Sequence, residues 1–98
     1  MKIKIISIGK VKNNNILRLC NDYHERIKHS AKIDEVIFKN STKESENKKI
    51  ISHLIKIKDY KFGLSQEGEK ISSEGFAMML SRVTDKSSCF IIGGSDGL

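Results

Sequence analysis

The residues best suited to chemistry lie at the end of the chain. Gly93-Gly94-Ser95-Asp96-Gly97 places three glycines in five positions, directly after the apolar run Cys89-Phe90-Ile91-Ile92. Glycine has no Cβ, so such a stretch can adopt positive φ and lets a ligand approach the backbone closely. The same residues would equally make a tight strand-to-helix turn with no ligand. The pattern is not GxGxxG, and no Gly-Lys-Ser/Thr follows, so dinucleotide and P-loop readings lack their defining chemistry. A second stretch runs from Leu64 to Ala77 and contains Gly68 and Ser72-Ser73-Glu74. It reads as a strand end, a turn and a capped helix, which a plain connection would also explain.

Other reactive side chains carry weaker signals. His24, His29 and His53 have no nucleophile or carboxylate at a telling spacing, so helix packing or surface exposure accounts for them. Asp22, Glu25 and Arg26 read as helix-surface charge. Cys20 and Cys89 lie far apart with no Cys or His at metal-ligand spacing, so no metal site is expected, and two free thiols are. The residues name no general base.

These groups need elements to position them, and the sequence supplies seven. Residues 2–8 (Ile3, Ile5, Ile6, Ile8) predict a strand apolar on both faces, as in a buried parallel sheet. Residues 14–28 predict a helix with Ile16, Cys20, Tyr23 and Ile27 in one stripe, capped by Asn13, Asn14 or Asn15. Residues 33–39 predict a second strand. Ser41 with Glu44 fits a capping box for a helix over 43–57 that buries Ile50, Ile51, Leu54 and Ile55. Residues 60–64 predict a third strand. Ser72 or Ser73 caps a helix with the stripe Phe76, Met79, Leu80 and Val83, and Cys89–Ile92 is a fourth strand. The β-α-β-α-β-α-β order implies a mostly parallel sheet, right-handed crossovers and helices on both faces. In such sheets ligands bind beyond the carboxyl ends of the strands, where the glycines fall.

Ninety-eight residues, 38% hydrophobic, predict a single domain over 1–98 with a thin core. The mixed charge, 31% of residues, argues against disorder. No apolar run approaches the ~18 residues of a membrane helix, and the N-terminus is not a signal peptide, so no membrane partner and a cytoplasmic location are expected. The net charge of +6 points to an anionic partner, with nucleic acid the leading candidate. Only Arg18, Arg26 and Arg82 are arginines, so diffuse phosphate attraction by lysine is favoured over base reading. The lysines of 43–58 read as a solvated helix face first and an RNA-facing patch second.

Several stretches together resemble the RlmH family, the large-subunit pseudouridine N3-methyltransferases of the SPOUT class. Met1 to Lys10 is similar to that family's opening strand, Tyr23-His24-Glu25-Arg26-Ile27 to its first helix, Leu64 to Ala77 to its turn and helix start, and Ile91 to Leu98 to its glycine loop. The resemblance implies a knotted α/β fold, an obligate homodimer, S-adenosylmethionine as methyl donor and 23S rRNA in the ribosome as substrate. Carried over by position, Leu64 and Gly93 correspond to cofactor-contacting residues, with Gly94 and Gly97 in the same loop. The catalytic residues stay unknown. The family chain continues past Leu98 with a further strand, a last cofactor loop, the knot helix and a Tyr-His-Arg type ending. The resemblance therefore implies a SPOUT-type fold lacking its C-terminal knot segment, from a truncated frame or a removed remainder, with low activity expected. Ser65 stands where the family usually has an acidic residue. The competing expectations are a non-catalytic basic RNA-binding module and, from β/α alternation alone, a flavodoxin-like nucleotide domain.

Overall fold

The computed structural model describes residues 1–65, 67–82 and 87–94. Four strands and three helices alternate along them: β1 (Lys2–Ile8), α1 (Asn14–Ile27), β2 (Lys32–Phe38), α2 (Lys43–Ile55), β3 (Tyr60–Leu64), α3 (Ser73–Ser81) and β4 (Ser88–Ile92). Every ladder is parallel, and the strand order is β2-β1-β4-β3. The expected α/β architecture with a parallel sheet is present.

Register decides which side chains share a face, because successive strand residues point to opposite sides. Ile6 lies opposite Val36 on one side and Ile91 on the other. Together with Ile8 and Cys89 these residues form one face, which Ile50 of α2 closes, with Phe38, Leu54 and Ile57 at its margin. The opposite face carries Phe90, stacked on Phe62 at 5.1 Å and met by Phe76 of α3 at 5.7 Å. On that side α1 is pinned to β2 by His24 Nδ1 and Glu35, 3.4 Å apart. Helices therefore cover both faces.

Two helix starts are as the sequence predicts. Asn13 Oδ1 accepts from the backbone N–H groups of Asn15 and Ile16, and Ser72 Oγ accepts from that of Gly75. These bonds satisfy donors that a helix N-terminus leaves free. The start of α2 differs. Thr42, not Ser41, is the cap, with its hydroxyl accepting from Ser45 N at 3.2 Å, and Glu46 rather than Glu44 reaches back. The cause is the strand before it. Gly9 N donates to Phe38 O at 2.7 Å, and Asn40 packs its amide against Gly9, so the chain stays extended beyond residue 38 and Thr42 becomes the cap.

The apolar faces also need correction. Ile50 is buried and Leu54 half-buried, but Ile51 is 57% exposed and Ile55 is 79% exposed. The core-facing stripe of α2 is Glu46, Ile50 and the half-buried Leu54, continued by half-buried Ile57 beyond the helix, which turns the two isoleucines outward. No residue of α1 is buried; Ile16, Cys20, Tyr23 and Ile27 all remain exposed. Val83 lies outside the described residues. Asp22 with Arg26 and Glu25 with Lys28 are surface ion pairs along α1, as their spacing suggests.

Candidate functional site

Because all four strands run the same way, their carboxyl ends form one edge. Leu64 ends β3 and Ile92 ends β4, and the two are register partners. Leu64 and Gly93 therefore end adjacent strands at the same edge, with Gly94 following. Gly97 lies outside the described residues. Register partners in a parallel pair share a face, so Leu64 and Ile92 stand side by side, 47% and 43% exposed. One step back along the same face is the Phe62–Phe90 stack with Phe76 against it. An apolar ledge over an aromatic floor thus borders the glycine backbone.

The other side of the bend is built by α2. Glu46 is only 5% exposed. Its Oε2 accepts a hydrogen bond from Ser41 N at 2.7 Å. A Cβ on Gly94 would sit 2.7 Å from Glu46 Oε1 and 3.3 Å from Ile8 Cγ2. One carboxylate therefore bridges the turn after β2 and the glycine bend after β4, and a side chain at Gly94 would have to displace it. Next to it, Gly9 ends β1 with φ 77°, the left-handed region that side chains disfavour. A Cβ there would lie 2.5 Å from Asn40 Nδ2. After β3, Gly68 N donates to Ser65 O at 3.3 Å and closes the turn that follows Leu64.

The remaining reactive residues are dispersed. His24 faces Glu35, His53 lies edge-on to Phe38 at 6.1 Å, and His29 is exposed. Cys20 is an exposed free thiol, and Cys89 a buried one. Burial pushes the Cys89 thiol above its ordinary range, and the negative charge of Asp59 adds to the effect. Among the described residues no group of three or more His, Cys, Asp or Glu could hold a metal ion, and no helix is long and apolar enough to cross a membrane.

Sequence reasoning missed two contributors. Ile92 completes the ledge; its position before Gly93, in a run apolar on both faces, was the available signal. Glu46 gave none, since it sits in Lys43-Glu44-Ser45-Glu46-Asn47-Lys48-Lys49 and reads as surface charge.

Comparison with known proteins places this geometry in a family. A family model described as "Predicted SPOUT methyltransferase" matches residues 1–98. The ribosomal RNA large subunit methyltransferase H of Acholeplasma laidlawii is 40% identical over 102 residues, covering 100% of this chain and 69% of that protein. Its counterpart in Ureaplasma urealyticum is 35% identical over 114 residues, covering 100% and 71%. That of Caldicellulosiruptor bescii is 32% identical over 108 residues, covering 98% and 70%. The match spans every strand and helix described above, at identities well above those of chance resemblance, and this chain belongs to the SPOUT methyltransferase family.

Proposed function

We propose that this chain, as one domain over residues 1–98, serves S-adenosylmethionine-dependent methylation of pseudouridine N3 in 23S rRNA, in the cytoplasm and as a homodimer. Relatives that it matches over its whole length carry the name of ribosomal RNA large subunit methyltransferase. The observation that carries the cofactor part is the register of β3 with β4, which sets the Leu64 and Gly93 ends side by side.

The residues present fit an adenosyl group. Leu64 and Ile92 offer half-exposed apolar surface to the flat face of a base, and covering them removes that surface from water. The backbone of Gly93 and Gly94 offers polar groups without side chains in the way. Glu46 and Ile8 fix the position of the bend from beneath. Bound there, S-adenosylmethionine supplies an electrophilic methyl group on a sulfonium. The chain's own part is positioning: the ledge and the bend hold one partner at the strand ends so that the base nitrogen can approach in line. The N3 proton must leave for that nitrogen to attack, and no residue is assigned as the base. A dimer is supported by the apolar surface that α1 leaves exposed, Leu19 and Tyr23 included.

The test is methyl transfer from labelled S-adenosylmethionine into large ribosomal subunits that lack the modification, with the product located by mass spectrometry of nuclease digests. The expected result is one methyl group, on a pseudouridine. Cofactor binding without transfer to this RNA would remove the substrate from the proposal. Loss of both would remove the whole of it.

A further inference from the structure

Along the flank of α2, beside the core margin, an open groove of about 390 Å³ runs between that helix and Phe38, at the end of the edge strand β2. Its helical wall presents Ser45, Lys48, Lys49, Ser52 and Lys56, residues at i, i+3, i+4, i+7 and i+11 that fall on one stripe. No carboxylate lines it. Among the described residues none of the three lysines forms an ion pair; the pairs present all involve α1. His53 joins the wall, edge-on to Phe38, and its Nε2 is hidden from solvent without a hydrogen-bond partner. From Ser45 to Lys56 the stripe is about 16 Å long at 1.5 Å per residue. It begins beside Glu46, the residue that touches the glycine bend.

We propose that this groove is a docking track for the RNA sugar–phosphate backbone. This rests on the reading of the substrate as RNA and adds where that RNA is held. Charge, donors and shape agree. Three unpaired ammonium groups and two hydroxyls are the side-chain types that bind phosphate oxygens without reading sequence. A concave basic wall beside an aromatic ring is the arrangement that tracks a single strand. A membrane surface would call for large apolar side chains on the same stripe, and among the described residues Phe38 is the only one lining the groove. One end of the track lies next to the cofactor edge, so RNA held along α2 leads its chain toward the site of transfer.

The experiment measures anisotropy of a fluorescein-labelled single-stranded RNA of mixed sequence across a salt series. It compares the unaltered chain with K48A/K49A/K56A and with K2A/K28A/K32A, which removes equal charge. Lys2 and Lys32 are register partners at the amino ends of β1 and β2, the opposite end of the strands from Phe38, and Lys28 follows α1. Three lost phosphate contacts, at about 0.7 each, lower the slope of log K against log salt by about 2. Affinity at ~0.1 M salt then falls roughly 100-fold, converging with the unaltered chain near ~1 M. The control triple keeps most of its slope, and K48R/K49R/K56R binds as the unaltered chain does. Equal losses in both alanine triples, no loss in the first, or no RNA binding by the unaltered chain each overturn the proposal. So does equal retention of polyglutamate or of phosphatidylserine vesicles, which would make the groove a general anion surface. Methyl transfer by the unaltered chain is read separately. If it proceeds while the groove variant binds RNA normally, the groove assignment fails and the proposed function stands. If transfer and cofactor binding are both absent, the proposed function fails, and the salt slopes still decide the groove.

Discussion

Replacing Gly94 by alanine tests whether Glu46 holds the glycine bend. The added Cβ would lie 2.7 Å from Glu46 Oε1, closer than carbon and oxygen tolerate. A free carboxylate would swing aside at little cost. This one is buried, and its other oxygen accepts from Ser41 N at 2.7 Å, so moving it breaks a hydrogen bond to an ionised group. Such a bond contributes about 1.5–3 kcal/mol, and overpacking costs about 1–3 kcal/mol, so Gly94→Ala should cost about 2 kcal/mol. For a chain of this size that lowers Tm by roughly 10 °C. Glu46→Ala alone should cost about 2 kcal/mol as well, through the same bond and a negative charge lost from the first turn of α2. The diagnostic quantity is the coupling between the two. With Glu46 truncated the added methyl has room, and Gly94→Ala should then cost under about 0.5 kcal/mol. Thermal unfolding followed by circular dichroism measures all four corners of the cycle. Additive costs would refute the reasoning, because they would mean that the bend is set by something other than this carboxylate.

Three further outcomes are expected. Gly9→Ala should cost more than about 2 kcal/mol, since it combines left-handed strain with a clash against Asn40, and urea unfolding reads it. Native protein should give one thiol to Ellman's reagent, that of Cys20, and a second only on unfolding; the raised pKa of buried Cys89 also contributes stability that is present below the ordinary thiol pKa and is lost as pH rises from there through the raised value, so Tm should fall on the alkaline side less in Cys89→Ala than in the unaltered chain. Leu64→Ala removes a half-exposed side chain from the ledge, worth about 1 kcal/mol when covered, so affinity for S-adenosylmethionine should drop about fivefold in calorimetry with Tm little changed.

The seven elements were legible because each has a local cause. The isoleucines of β1, the amide cap at Asn13 and the hydroxyl cap at Ser72 act within a few residues of where they stand. What depended on distant contacts was not legible. Thr42 and Ser41 are equally good caps on paper, and the Gly9–Phe38 bond decides between them. Ile50, Ile51, Leu54 and Ile55 make a stripe wider than the sheet can cover; which edge is buried depends on Glu46 turning inward beneath Gly94. Alternation predicted that the strand ends share an edge, and it placed Leu64 and Gly93 there. It did not give the order β2-β1-β4-β3, which makes the two neighbours. Position-by-position resemblance nominated the glycine bend and Leu64 as candidates, whereas the side chain supporting that bend became visible only in three dimensions.

The position of β4 between β1 and β3 has a consequence for how the molecule assembles. Ile3 pairs with Ser88, a contact spanning most of the chain, while β3 has no described strand partner except β4. During synthesis β1 and β2 can zip together early, but β3 must wait with its edges bare until Ser88–Ile92 emerge and slot into the middle. Loop closure over such distances is slow, and an unpaired strand in the interval invites association with other chains. Substitutions that weaken β4 should therefore appear first as poor yield of folded protein, before any defect in the finished molecule can be measured.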